Sequence, residues 1–129
     1  MSKKTTVLIV DDDRDLLRLL SAAFKSKGFE VHTMKNGKEA LEDLMDEQNI
    51  TSACLLVLDR MLPDMDGLEI FKKFQNQFLG RLPVLILSAL SAEKDVLEGL
   101  KVGAIDYITK PFSLPIFMEK ALSLIERVK

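Results

Sequence analysis

Apolar positions along this chain alternate between two spacings. Thr6-Val7-Leu8-Ile9-Val10 is a short β-branched run, and Leu16, Leu17, Leu19, Leu20, Ala23 and Phe24 then recur at helical spacing before Lys27-Gly28. Phe29 to Met34 predicts a second strand, Asn36-Gly37 a turn, and Ala40, Leu41, Leu44 and Met45 one face of a second helix. Cys54 to Leu58 reads as a third strand, Leu68, Ile70, Phe71, Phe74 and Phe78 as a third helix, and Pro83 to Leu87 as a fourth strand. Ala92 to Val102, Ile105 to Ile108 and Leu114 to Val128 complete the series as helix, strand and helix. No linker, internal repeat or low-complexity segment interrupts it, so one domain is expected over residues 1–129. Strands that alternate with helices are joined by right-handed crossovers. The expected fold class is therefore α/β, an open parallel five-stranded sheet with helices on both faces.

Composition narrows what such a domain can do. Apolar residues make up 47% of the 129 and charged residues 29%, with 18 basic against 20 acidic. That balance argues against disorder and against an electrostatic nucleic-acid surface. Cys54 is the only cysteine and stands in an apolar run, so no disulfide framework or thiolate metal site can form within the chain, and a buried inert thiol is expected. No apolar run approaches the ~20 residues of a membrane span. Met1-Ser2-Lys3-Lys4 leads into a strand without a signal-peptide core, so the expected location is the cytoplasm, away from any membrane.

The candidate chemistry starts at Asp59. Leu56-Val57-Leu58-Asp59 drives an apolar strand into a carboxylate, and a buried strand has little reason to end there. In an open parallel sheet, ligands bind outside the carboxyl ends of the strands. Asp11 and Asp12 follow the first strand, Asp59 ends the third, Ser88 ends the fourth and Lys110 follows the fifth, so all five are expected at one edge. Carboxylates gathered there repel one another unless a cation intervenes, and oxygen-only ligands suit Mg²⁺ or Mn²⁺ rather than zinc. With a hydroxyl and an ammonium beside them, the set matches phosphoryl transfer. Asp59 is the nucleophile, the metal and Lys110 neutralise phosphoryl oxygens, and Ser88 donates a hydrogen bond.

Four motifs carry a family resemblance. Val10-Asp11-Asp12, Leu58-Asp59-Arg60-Met61-Leu62-Pro63-Asp64-Met65-Asp66-Gly67, Leu82-Pro83-Val84-Leu85-Ile86-Leu87-Ser88-Ala89 and Asp106-Tyr107-Ile108-Thr109-Lys110-Pro111-Phe112 occur in order along the chain. Together they resemble the CheY-like receiver domain of two-component response regulators, over essentially the whole length. The resemblance implies a flavodoxin-like (βα)5 sheet of order 2-1-3-4-5. It implies that Asp59 accepts a phosphoryl group from the phosphohistidine of a sensor histidine kinase or phosphotransfer protein. It further implies that Asp12, Asp59 and the backbone carbonyl of Met61 hold Mg²⁺, with Asp11 assisting through water, and that Lys110 contacts the phosphoryl group. Ser88 and Tyr107 resemble the switch pair whose movement changes the face made by the fourth helix, fifth strand and fifth helix. That face then controls an output domain or partner. The family's Lys-Pro bond is cis, and Lys110-Pro111 matches it. The segment Gly103 to Phe112 is similar to receivers of transcriptional regulators that form phosphorylation-dependent homodimers. Such a domain is a switch with weak self-catalysis rather than a turnover enzyme.

Simpler readings compete for several residues. Asp13 reads as a helix cap or solvated charge, while Asp12 is better explained as a ligand. Asp64 and Asp66 are expected to serve the turn and the start of the third helix. His32, alone within a strand, reads as a surface or packed residue, so the donor histidine must come from another protein. An EF-hand is excluded because its ordered spacing and closing Glu are missing. A flavin phosphate would be repelled by three aspartates after the first strand. Haloacid-dehalogenase-type phosphatases carry a second Asp two residues after the nucleophile, where this chain has Met61, and no Walker A motif is present. A degenerate receiver acting only as an interaction module would be expected to lack Asp59, Lys110 or the acidic pair. Met61 and Leu90 are apolar where side chains border the attacking-water path in this family, which predicts a long-lived phosphoryl group. Arg60 is expected to face solvent or a partner.

Overall fold

The computed structural model describes residues 5–127. All five predicted strands form: β1 (Thr6–Val10), β2 (Glu30–Met34), β3 (Ala53–Leu58), β4 (Val84–Ser88) and β5 (Asp106–Thr109). They pair in parallel in the order β2-β1-β3-β4-β5, the order the resemblance implies. The helical segments are α1 (Arg14–Ser26), α2 (Gly37–Leu44), α3 (Glu47–Thr51), α4 (Gly67–Lys73), α5 (Gln75–Phe78), α6 (Glu93–Lys101) and α7 (Leu114–Arg127).

Two of these were not expected. The loop after α2 closes into the short α3, capped by the Asp46 carboxylate on the Gln48 N–H, with Ile50 buried beneath it. The predicted third helix divides at Phe74, whose φ of −106° and ψ of 17° leave the helical region, giving α4 and α5. Asn36 is an N-cap rather than a turn residue, its side chain accepting from the Glu39 N–H, so α2 starts at Gly37. Leu19 and Met45 fit their helical patterns yet are 46% and 68% exposed. The predicted end of the last helix at Val128, and the reading of Met1-Ser2-Lys3-Lys4, lie outside the described residues.

The sheet separates two cores because alternate strand residues point to opposite faces. On one face Leu8, Val10, Leu56, Leu58 and Ile86 meet α2 to α5 through residues such as Ala40, Leu44, Phe71 and Phe78. On the other, Val7, Ile9, Leu55, Val57, Leu85 and Leu87 meet α1 and α7 through Leu20, Phe24, Phe117 and Ala121. β3 is buried along its whole length, as a central parallel strand must be. The register of β1 on β3 shifts between Thr6 and Val7, and Cys54 falls in that irregularity, buried as expected with its thiol 3.5 Å from the Thr6 carbonyl oxygen. Among the described residues no helix is long and apolar enough to cross a membrane.

Candidate functional site

The sheet order puts β1 beside β3, so the residues that follow them share one edge. The Asp59 N–H donates to the Val10 carbonyl at 2.9 Å, which extends the β1–β3 ladder by one residue and fixes Asp59 against the Asp11 turn. Asp11 and Asp59 are almost fully buried, while Asp12 is exposed. One carboxylate oxygen from each of the three lies within 4.8 Å of the other two. Asp13 is not part of this group; it caps α1, accepting from the Asp15 and Leu16 N–H groups.

Lys110 enters the cluster from the end of β5. Its Nζ donates to Asp11 Oδ2 at 2.8 Å and to Asp59 Oδ2 at 3.0 Å. Burial alone lowers the Lys110 pKa, but the two carboxylates outweigh it and hold the ammonium above its ordinary value. Asp11 moves upward because burial, with the Asp59 charge added, outweighs its bond from Lys110 and that from the Asp13 N–H. One ammonium against three carboxylates leaves net negative charge at a strand edge. Oxygen donors with uncompensated charge suit a hard divalent cation, so the residues present fit Mg²⁺. The Lys110-Pro111 peptide is cis.

The other oxygens of the site are held by backbone. Asp59 Oδ1 accepts the Met61 N–H at 3.0 Å, and Asp11 Oδ1 accepts the Asp13 N–H at 2.9 Å. The loop after Asp59 is drawn tight by the Gly67 N–H donating to the Arg60 carbonyl at 2.7 Å and by a bridge between Met61 and Asp66. A Cβ on Gly67 would collide with the Asp59 carbonyl oxygen, which is why glycine stands there. Ser88 is fully buried. Its Oγ accepts the Leu90 N–H at 3.3 Å, and the Leu90 carbonyl accepts the Tyr107 hydroxyl at 2.6 Å. Ser88 and the buried Tyr107 are thereby joined through one residue's backbone.

Two placements differ from expectation. Arg60 does not face solvent: its side chain is 4% exposed and bonded to Asp66, Glu98 and the Asp95 carbonyl. A guanidinium can be buried this way because its fork meets acceptors from two elements at once. Asp66 caps α4 as expected, but Asp64 serves the other side of the fold, accepting the Gly37 and Lys38 N–H groups at 2.8 and 2.9 Å at the start of α2. His32 is a half-exposed strand residue with its Nε2 2.8 Å from Asp43 Oδ2.

Residues 7–122 match the family model of the response regulator receiver domain. The alkaline phosphatase synthesis transcriptional regulatory protein PhoP of Bacillus subtilis is 42% identical over 113 residues, which is 88% of this chain and 44% of that protein. The nisin biosynthesis regulatory protein NisR of Lactococcus lactis is 37% identical over 121 residues, 94% of this chain and 50% of that one. The chain spans about half the length of the curated relatives it matches. Among solved structures, the receiver domain of the Francisella response regulator 1452 superposes with a TM-score of 0.83 at 34% identity, covering 97% of this chain and 99% of its own. The beryllofluoride-activated receiver domain of DrrB from Thermotoga maritima gives 0.80 at 32% identity, covering 98% and 100%.

Proposed function

Because the chain belongs to the response regulator receiver family, we propose that it is a phosphoacceptor switch in which Asp59 takes a phosphoryl group from the phosphohistidine of a partner kinase or phosphotransfer protein. One observation carries the reading: the Lys110 ammonium, from the end of β5, bridges Asp11 and Asp59 within a three-carboxylate cluster assembled from the ends of β1 and β3. In the transfer, an Asp59 carboxylate oxygen forms the new bond to phosphorus as the phosphorus–nitrogen bond of the donor breaks, and the electron pair leaves with the imidazole. Asp11, Asp12, Asp59 and the Met61 carbonyl are the candidates to hold Mg²⁺, or Mn²⁺ in its place. Bound there, the ion supplies positive charge to the phosphoryl oxygens.

The chain's own groups do the remaining work. Met61 N–H and Lys110 hold the two oxygens of Asp59, so the nucleophile is oriented before a donor arrives. Phosphorylation adds about 1.5 to 2 negative charges at Asp59. Lys110 and the Ser88 hydroxyl are the groups available to meet it. When Ser88 turns toward the phosphoryl group its bond from the Leu90 N–H is lost, and the Leu90 carbonyl that anchors Tyr107 shifts with it. The readout face is then α6, β5 and α7, acting on an output domain or a second protein. The reading includes a cytoplasmic location, a chain that switches rather than turns over substrate, and a homodimer formed through this face on phosphorylation.

The test is phosphate incorporation from a small-molecule phosphodonor with and without Mg²⁺. The wild type is expected to label only with the metal, and Asp59→Asn not at all. Undiminished labelling of Asp59→Asn overturns the assignment.

A further inference from the structure

Arg60 stands next to the proposed phosphoacceptor, yet all its side-chain partners lie elsewhere. Nε and Nη2 reach the Asp66 carboxylate at 3.4 and 3.1 Å, Nη2 also reaches Glu98 Oε1 at 2.6 Å, and Nη1 donates to the Asp95 carbonyl at 3.0 Å. Its backbone meanwhile belongs to the Asp59 loop, with its carbonyl accepting the Leu62 and Gly67 N–H groups. One residue therefore ties the site loop, the cap of α4 and the middle of α6 together.

Helix α6 has few other anchors. Ala92 at its N-cap gives no side-chain bond, and Gly99 is its one buried residue. Leu97 and Leu100 are exposed, 49% and 41%. With so little apolar surface buried, the bonds of a single shielded guanidinium are a large part of what sets the helix position. The contact at Gly99 is close: a Cβ there would lie 2.9 Å from Tyr107 Cδ2 and from Ile86 Cδ1. A displacement of α6 therefore changes the space open to the Tyr107 ring.

We infer that Arg60 is a positioning residue that couples the Asp59 loop to helix α6, so that the helix and Tyr107 respond to the state of Asp59 through the guanidinium as well as through Ser88. This coupling rests on the phosphoacceptor reading above. The fork geometry matters to it, since three separate nitrogens reach Asp66, Glu98 and a helix carbonyl at once, whereas a lysine offers its donors from a single point. A purely structural role for Arg60 makes a different forecast: its loss lowers stability but leaves the response to a phosphoryl mimic unchanged.

The chain has one tyrosine and no tryptophan, so its intrinsic emission reports Tyr107 alone. The experiment compares wild type, Arg60→Met, Arg60→Lys and Glu98→Gln as full chains with Mg²⁺ and beryllofluoride. Mimic binding is read by fluorine NMR, the switch by Tyr107 emission, and α6 by amide exchange. Asp66 and Glu98 are near half exposed, so Arg60→Met leaves them in water rather than buried without a partner. Arg60→Met is expected to bind the mimic within about threefold of wild type but to lose most of the emission change. Its α6 amides are expected to exchange about tenfold faster even without mimic. Arg60→Lys and Glu98→Gln are expected to fall between, and they carry the test if Arg60→Met does not fold. A full wild-type emission change in Arg60→Met, or in both milder variants, overturns the coupling while leaving the phosphoacceptor reading intact. Failure of the wild type itself to bind beryllofluoride with Mg²⁺ overturns that reading, and the coupling with it.

Discussion

Lys110 Nζ lies 3.0 Å from Asp59 Oδ2, a contact between residues 51 apart in the chain. In the proposed mechanism the ammonium holds the nucleophile in place and meets the phosphoryl charge as it develops. Its removal is expected to slow phosphate incorporation from a small donor by about a hundredfold, the usual cost of losing one preorganised electrostatic partner. Lys110→Ala measured against Lys110→Arg checks this. Equal rates for Lys110→Ala and wild type would remove the ammonium from the mechanism.

Met61 and Leu90, two residues after Asp59 and Ser88, are apolar: Met61 is 52% exposed and Leu90 half-buried. Neither side chain can orient a water molecule. The phosphorylated chain is expected to persist well beyond seconds, and Met61→Asn to release phosphate about tenfold faster, less than a well-placed general base would give. Loss of label within seconds from the wild type counts against the argument.

Asp64 gives a pH-dependent test of the loop. Hydrogen bonds from the Gly37 and Lys38 N–H groups hold its carboxyl below the ordinary carboxylate range. A depressed folded-state pKa stabilises the fold above the unfolded value, about 3.9 for aspartate, and that contribution is lost as pH falls through the lowered value. Asp64→Ala is therefore expected to melt at a lower temperature than wild type at pH 7. The gap should narrow as the pH falls below the ordinary aspartate range. A gap that is constant with pH would mean that the carboxylate charge plays no part.

Gly67 lies where a side chain would strike the Asp59 carbonyl oxygen. Neither backbone segment can yield cheaply, because the Gly67 N–H is itself bonded to the Arg60 carbonyl. Gly67→Ala is expected to cost at least about 3 kcal/mol, at the upper end for overpacking, and to weaken beryllofluoride binding at the same time. Urea titration with a parallel binding measurement separates the two effects.

Strand positions and the five groups at the sheet edge were legible because each depends on local pattern: an apolar run followed by a carboxylate, hydroxyl or lysine. Strand order was not legible from spacing, since parallel strands of similar composition can be ordered several ways, and the resemblance carried it. Arg60 escaped for a related reason. Next to Asp59 it reads as a surface charge, and only the folded chain brings Glu98, 38 residues away, to its guanidinium. Asp64 serves α2 rather than its own helix through bonds spanning 26 and 27 residues, which no window of local sequence contains. Leu19 and Met45 fit a helical period but point off the narrow stripe that each helix buries. The short α3 lacks a periodic pattern long enough to announce it.

The Lys110 bridge also bears on biosynthesis. Asp11 and Asp59 precede Lys110 by 99 and 51 residues, so a nascent chain contains both acidic partners well before their counter-charge. Strands β1 and β3 can pair during that interval only with two carboxylates crowded at one edge. The fifth βα unit, made after the other four, brings the ammonium that relieves them. In an elongating chain the two carboxylates therefore lack their ammonium partner until the fifth βα unit has been synthesised.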